Sequence, residues 1–329
     1  MIVYQIFSYF VGSVGIILNA TLLYLSISKT PFGIKTYSIL IINLAITDLI
    51  ASFCTIFVES RIIKIGHTSV VVNYGLCVNA GIQWCFYGYV LTLHLFLHSQ
   101  FLLLYSFCFR LYSLKYGTLS KRNVIITLVI IYIPSVIQFI SLSFSIGDTH
   151  ILYGLLLEAF PGYQSTISSQ MVTGIVNLED ILPSLGAAIM SFCPLIIYIS
   201  VIIIRRKIIA KLYENATHLR RETKLMHQQL LKVLTFQAFL PVILLIGLIL
   251  YTVEEARLYS HPFIECAVIA IFELLPVLSP IIYLYYVTPY RRAIMKLCGF
   301  KTTEHSTVSE TTITFTNTYK STITNVTQF

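Results

Sequence analysis

Charge is what this sequence has least of. Asp, Glu, Lys and Arg make up 11% of its 329 residues, less than half the share of about a quarter found in soluble domains and too little to coat an ordinary water-facing surface. Signatures of catalysis are missing too. There is no nucleophile and base at a recognisable spacing, no Gly-rich phosphate loop and no His-x-x-His-His box of the kind found in membrane di-iron enzymes, so neither an enzyme nor a bound cofactor is expected. No two-fold internal repeat relates the halves of the chain, as many transporters would show. The first apolar segment has no basic flank ahead of it and is too long for a signal-peptide core, so it is expected to act as an uncleaved signal-anchor.

Apolar residues fill the gap: 57% of the chain is hydrophobic and the mean hydropathy is +0.82. A membrane-spanning helix needs about 20 mostly apolar residues, and seven stretches qualify: Tyr4 to Ser28, Tyr37 to Glu59, Gln83 to Phe109, Asn123 to Ile146, Ile181 to Ile204, Leu230 to Thr252 and Phe263 to Val287. All are too long for barrel strands and none alternates polar with apolar. The expected fold is an all-α membrane protein, a seven-transmembrane helix bundle.

The formal net charge of +8 leaves nucleic acid, an anionic membrane or membrane topology as explanations. Position separates them. With the N-terminus outside, 19 of the 22 basic residues fall on the cytoplasmic side and only Arg61, Lys64 and Arg257 lie outside. Because Lys and Arg resist translocation, this split predicts an outer N-terminus and a cytoplasmic C-terminus. The basic residues are spread over four loops and tails, which removes the case for nucleic acid and leaves membrane lipids as their partners. Of the sequons at Asn19, Asn215 and Asn325, one falls inside a helix and two in the cytosol, so none is expected to carry a glycan.

The outer loop from Gly147 to Asp180 has four acidic residues and no Lys, Arg or Cys. Within it, His150 to Phe160 is too short to span and is expected to lie as a surface helix ended by Pro161-Gly162. Residues 1 to 300 are expected to form the seven-helix membrane domain, closed by a basic amphipathic helix near 289–297. Residues 301–329 hold 14 Ser or Thr and are expected to be a disordered cytoplasmic tail.

Several polar residues sit at membrane depth, where ionisable groups are costly and mark function by default. Asp48 lies in the run Asn43-Leu-Ala-Ile-Thr-Asp48-Leu49, and Arg110-Leu-Tyr112 ends the third segment. Ser279-Pro280-Ile-Ile-Tyr283 sits in the seventh, and Asn19 in the first. Together with the amphipathic stretch from Pro289, these resemble the features of a G protein-coupled receptor. More closely, Phe57 to Gly66 (FVESRIIKIG), Leu93 to Leu114, Leu230 to Pro241 (LLKVLTFQAFLP) and Pro276 to Arg291 resemble the nematode serpentine receptor class delta (Srd) family of chemoreceptor-like proteins, a likeness that covers about residues 15 to 300. The resemblance implies a plasma-membrane receptor of chemosensory neurons. It would bind an external small molecule within the bundle and signal through a heterotrimeric G protein.

That resemblance also assigns roles. An activation switch would comprise Asp48, Ser99, Arg110, Ser279, Pro280 and Tyr283, with a sodium ion beside Asp48 as one version of it; the competing reading of Asp48 is a hydrogen-bonded structural cluster. Arg110 would reach the cavity that admits the G protein, against the simpler fate of snorkelling to lipid phosphate. Ligand contacts would come from Tyr89, Thr92 and Phe96 on the third segment, Tyr251 on the sixth, and Glu265 and Glu273 on the seventh, in an apolar pocket with few polar groups; plain helix packing is the alternative for each aromatic. Glu273 would attract a cationic or hydrogen-bond-donating ligand.

The departures are specific. Phe109 stands where rhodopsin-like receptors carry an acid, so no ionic latch to a neighbour of Arg110 is available, and Ser279 and Phe239 replace an Asn and a Trp. The outer loop lacks the cysteine that would staple to Cys85. A bridge from Cys77 or Cys85 to Cys266 is allowed by membrane side, with buried apolar packing as the alternative. His94 and His98 lie one turn apart, a metal-capable spacing, but without further ligands helix-to-helix hydrogen bonding is the better account. Phosphorylation of the Ser/Thr-rich tail would recruit an arrestin-like regulator, and Cys298 is a lipidation candidate. A multi-pass transporter or channel without G protein coupling is the rival function; an ion current needing no G protein would favour it.

Overall fold

Side-chain caps open two of the described helices. Ser120 Oγ accepts from the Asn123 amide at 3.3 Å, and Asp148 Oδ1 accepts from the His150 and Ile151 amides at 2.7 and 3.3 Å, satisfying donors that a first turn leaves open. In this computed structural model the described residues are 2–30, 34–117, 119–214, 232–233, 235–255 and 262–297. The helices are α1 (Ile2–Ser28), α2 (Ser38–Val58), α3 (Cys77–Ala80), α4 (Ile82–Tyr116), α5 (Lys121–Ser143), α6 (Thr149–Ala159), α7 (Ile181–Glu214), α8 (Leu240–Glu255), α9 (Pro262–Glu273), α10 (Leu275–Tyr286) and α11 (Thr288–Leu297). Among the described residues six helical stretches are long and apolar enough to cross a membrane: Ile2–Ser28, Ser38–Val58, Ile82–Tyr116, Lys121–Ser143, Ile181–Leu212 and Glu265–Tyr286. The shorter apolar helix Thr235–Leu250 lies within the sixth expected segment. Ile125, Val129, Ile133, Phe192, Ile196 and Ile199 face outward, an apolar exterior suited to lipid.

Met1–Arg291 is one compact unit and Arg292–Phe329 a second. Of the second, only the last turns of α11 are described; residues 298–329, with the tail and Cys298, lie outside the described residues.

Small residues set the α1–α2 distance. A Cβ on Gly12 would stand 2.5 Å from Ile56 and one on Gly15 2.3 Å from Ser52 Oγ, so the helices close up only where the side chain is a hydrogen. The seventh segment divides into α9 and α10 at Leu274, because Pro276 has no amide to give the Phe272 carbonyl one turn back. Pro280 has no amide to give the Pro276 carbonyl one turn back. Asn19 Nδ2 of α1 donates to that carbonyl instead, at 2.8 Å.

The expectation of an all-α fold needs correction, because a three-stranded sheet closes one end of the bundle. Strands β1 (Ser60–Ile65) and β2 (Thr68–Asn73) pair antiparallel around a two-residue Gly66-His67 turn, and β3 (Val172–Ile175) adds to β2. Both faces are covered: Ile63, Val70, Val72 and Val172 meet Leu152 and Leu156 of α6, while Ile62, Val71 and Ile175 join the core of the bundle. The loop from Gly147 to Asp180 is thus a folded cap made of α6, β3 and short 3-10 turns. Its helix runs Thr149–Ala159, where the sequence predicts one.

The cysteines also need correction. Cys77 and Cys85 bond to each other, and Cys266 is free. In an unbroken helix residues eight apart stand about 12 Å apart along the axis. Here the chain turns at Gly81, with φ of +115°, between α3 and α4, which brings the two Cα atoms to 5.0 Å.

Candidate functional site

At the sheet end, a small cavity lies between α2, α4 and α9. Its walls include Cys54, Thr55, Val58, Glu59, Tyr89, Thr92, Phe96, Ile269 and Glu273. Its free volume is about 10 Å³, room for roughly one water. Glu273 enters it from the last residue of α9 and is held by two hydroxyls of α1: Ser8 Oγ donates to Oε2 at 2.9 Å, and Tyr4, whose hydroxyl donates mainly to the Ser60 carbonyl at 2.8 Å, stands 3.4 Å from Oε1.

The structure therefore brings four of the six expected ligand contacts, Tyr89, Thr92, Phe96 and Glu273, to one cavity. Thr92 turns its hydroxyl back to the Gly88 carbonyl at 2.9 Å, and Phe96 meets Phe272 edge to face. Glu265 is a correction, because it does not line the cavity. Its carboxylate is buried in an ion pair with Arg61 of β1, whose Nε donates to Oε2 at 2.6 Å. Arg61 Nη2 also donates to the Tyr163 hydroxyl at 2.7 Å. Burial alone would lower the Arg61 pKa, but the Glu265 carboxylate and the Tyr163 contact more than offset it and hold the guanidinium firmly charged. The side chain of Tyr251 lies outside the described positions.

Asp48 is midway along the bundle and 3% exposed. Ser99 Oγ of α4 donates to its Oδ1 at 2.6 Å. Ser279 of α10 is its other polar neighbour, though neither the Ser279 hydroxyl nor Asp48 Oδ2 makes a hydrogen bond of good geometry. Ser52 Oγ donates to the Asp48 carbonyl at 2.8 Å.

Arg110 occupies the opposite end, buried at 6% exposure. Its guanidinium sits over the Tyr37 ring, 4.2 Å from the centroid, and Nε and Nη2 have no hydrogen-bond partner. Tyr37 at the start of α2 also packs on Phe109, and its hydroxyl stands 3.4 Å from that of Tyr283 on α10. Phe109, which stands where an acid would form an ionic latch, packs instead on the Tyr37 ring that lies beneath Arg110. Pro280 is buried in α10 one turn before Tyr283.

His94 and His98 face α5. His94 Nδ1 lies 2.8 Å from the Ser135 carbonyl and His98 stacks on Tyr132 at 3.6 Å, in keeping with helix-to-helix contact. Among the described residues no cluster of three His, Cys, Asp or Glu side chains has the geometry to hold a metal ion.

Comparison with known proteins follows the same outline. The family model described as the serpentine type 7TM GPCR chemoreceptor Srd matches residues 4–296. The chain belongs to this family. It is 34% identical over 300 residues to serpentine receptor class delta-18 of Caenorhabditis elegans, covering 90% of this chain and 88% of that relative, and 31% identical to class delta-19 of the same organism over 90% and 88%. Among solved structures the crystal structure of squid rhodopsin matches with a TM-score of 0.57 at 14% identity, over 89% of this chain and 80% of that one, a likeness of fold alone.

For a member of the Srd family, three site features carry little signal in the sequence. Arg61 and Glu59 both stand in the FVESRIIKIG run that carries the family resemblance, and that run by itself assigns neither a role. The available signal was two opposite charges ending an apolar segment, against one acid, Glu265, beginning another. Tyr37 carried no signal, since a tyrosine at a segment end reads as an ordinary interfacial anchor.

Proposed function

We propose that this Srd-family membrane protein is a chemosensory G protein-coupled receptor, placed in the plasma membrane of chemosensory neurons with its N-terminus and sheet end outside. It binds a small external molecule at the cavity lined by Tyr89, Thr92, Phe96 and Glu273. The reading rests chiefly on one arrangement: α2, α4 and the seventh segment each carry a cavity residue near one end and a member of the Arg110, Tyr37 and Tyr283 cage near the other. A ligand that shifts the seventh segment by its grip on Glu273 acts on the helix that holds Tyr283. Release of Arg110 from Tyr37 then opens the inner end to the G protein. Asp48, Ser99, Ser279 and Pro280 form the joint between, and a sodium ion there would take Asp48 Oδ2 and the Ser279 hydroxyl as donors. The basic loop residues and α11 meet anionic lipid. The tail from Lys301 takes phosphates that recruit an arrestin-like regulator, and Cys298 takes a lipid anchor.

The test is expression in cells with a calcium or cAMP reporter, screened against small odorants and secreted metabolites. A response that Arg110→Ala removes, at unchanged surface expression, is expected. A response retained in Arg110→Ala, or an ion current independent of any G protein, would refute the reading.

A further inference from the structure

Two carboxylates, not one, face the sheet-end cavity, and the second is unusual in its backbone. Glu59 caps α2 at φ +45° and ψ +67°, its amide bonded to the Thr55 carbonyl at 3.0 Å. It is the only non-glycine with positive φ among the described residues. Left-handed caps are normally glycine, sometimes Asn, because a Cβ is strained there. Strain of this sort persists where a side chain is needed. Yet Glu59 makes nothing of its carboxylate: it is 1% exposed, both oxygens lack a hydrogen-bond partner, and Tyr9 neighbours it without good geometry. A buried acid without partners is costly.

We propose that Glu59 and Glu273 together form the subsite for the ammonium group of a small organic amine. The proposal deepens the receptor reading and rests on it. An ammonium brings three donors and one positive charge. It would supply Glu59 with the hydrogen bonds it lacks, and take from Glu273 the acceptor capacity that Ser8 and Tyr4 leave over. Arg61, two residues beyond Glu59 in the chain, is committed to Glu265 and Tyr163, so it does not neutralise the pair.

The walls select the kind of cation. A divalent metal needs six or more oxygens at close range, and among the described residues no third acid, His or Cys joins these two in a metal-holding group. Val58, Leu93, Phe96, Ile269 and the Tyr89 ring line the remainder. These accept an alkyl or aryl tail, and the aromatic faces add attraction for the cation. Because the space is about 10 Å³ when closed, the head group must be small and the cap must part to admit it. The Tyr4 to Ser60 hydrogen bond between α1 and β1 is the contact that must yield.

The experiment uses the full-length chain in lipid nanodiscs, with thermal unfolding followed against n-butylamine and n-hexylamine and against the matched alcohols. Amines are expected to raise the unfolding midpoint saturably and alcohols not, with roughly tenfold or greater loss of apparent affinity in Glu59→Gln and in Glu273→Gln. Glu59→Gly separates binding from folding, since it relieves the strained φ while removing the carboxylate: it should be at least as stable as the parent and blind to amines. Equal shifts by alcohols, an amine shift retained in both Glu59 variants, or no amine shift at all overturns the proposal. A parent chain that ignores amines yet drives a G protein with another compound sinks only the amine subsite. One that binds amines through Glu59 but never activates a G protein sinks only the receptor reading.

Discussion

Among the described residues two arginines are buried, near opposite ends of the bundle, and they are held in opposite ways. Arg61 is 2% exposed and is matched by a carboxylate, a phenol and an aromatic face, from Glu265 and Tyr163. Arg110 is 6% exposed and has the Tyr37 ring beneath it, no acid beside it and two nitrogens without partners. A paired buried charge resists separation, because pulling the partners apart leaves both desolvated and alone. An unpaired one gains by leaving for any site that offers acceptors. Arg61 therefore ties β1, the cap and α9 into one lid, whereas Arg110 rests on an aromatic face with no acid beside it, which suits the movement proposed for it.

The largest test of that contrast falls on the lid. Arg61→Ala strands Glu265 and should lower stability by about 3–5 kcal/mol, measured as thermal unfolding in nanodiscs or as lost surface expression. Arg61→Met with Glu265→Met should recover most of the loss, since a well-packed apolar pair is often neutral by comparison. A double variant as unstable as the single would mean that Arg61 acts through partners other than Glu265, Tyr163 and Tyr74 among them. Next comes the bond that fixes α3 to α4. Removing it with Cys77→Ser and Cys85→Ser should cost roughly 2–3 kcal/mol at most, the loop it closes being short, and a larger loss would show that the bridge also supports the sheet. Arg110→Ala is expected to be milder for the fold and harsher for signalling. It gives up a cation–aromatic contact of about 1–2 kcal/mol and should keep near-normal unfolding while losing G protein activation. A fall in stability as large as that of Arg61→Ala would erase the distinction between the two ends.

How far the sequence reveals these features depends on their range. Helix-forming segments are local, and the apolar runs mark them, including the seventh, whose break follows from Pro276. Asp48 meeting Ser99 is legible as well, because a carboxylate at that depth must find a donor. The sheet is less so. Its β-branched runs, Arg61-Ile-Ile and Val70-Val-Val, flank a Gly66-His67 turn, a usable hairpin signal. With both faces buried, though, the strands lose the alternation that normally announces them, and β3 comes from residues about a hundred positions away. The Cys77 to Cys85 bond is hidden for a related reason. Its spacing is wrong for a helix and right only after the turn at Gly81, a backbone feature that no cysteine pattern states. Partners such as Arg61 and Glu265 are some two hundred residues apart, and only the packed bundle makes them neighbours.

The smallest change probes the poised end alone. Tyr37→Phe keeps the ring on which Arg110 rests and deletes only the hydroxyl, whose oxygen stands 3.4 Å from that of Tyr283. At that length the contact is worth about 0.5–1 kcal/mol at best, too little to be decisive in unfolding. In a two-state switch, however, the same energy shifts the population of the open form by about twofold to fivefold. Ligand-free G protein activation should therefore rise by that factor in Tyr37→Phe, while unfolding moves by less than about 1 kcal/mol. Tyr37→Leu, which removes the ring as well, should raise basal activity further. If Tyr37→Phe were silent and Tyr37→Leu active, the ring beneath Arg110 would be the whole latch and the link to Tyr283 incidental. If both were silent, the aromatic cage would be packing, and the control of Arg110 would have to come from elsewhere on α4.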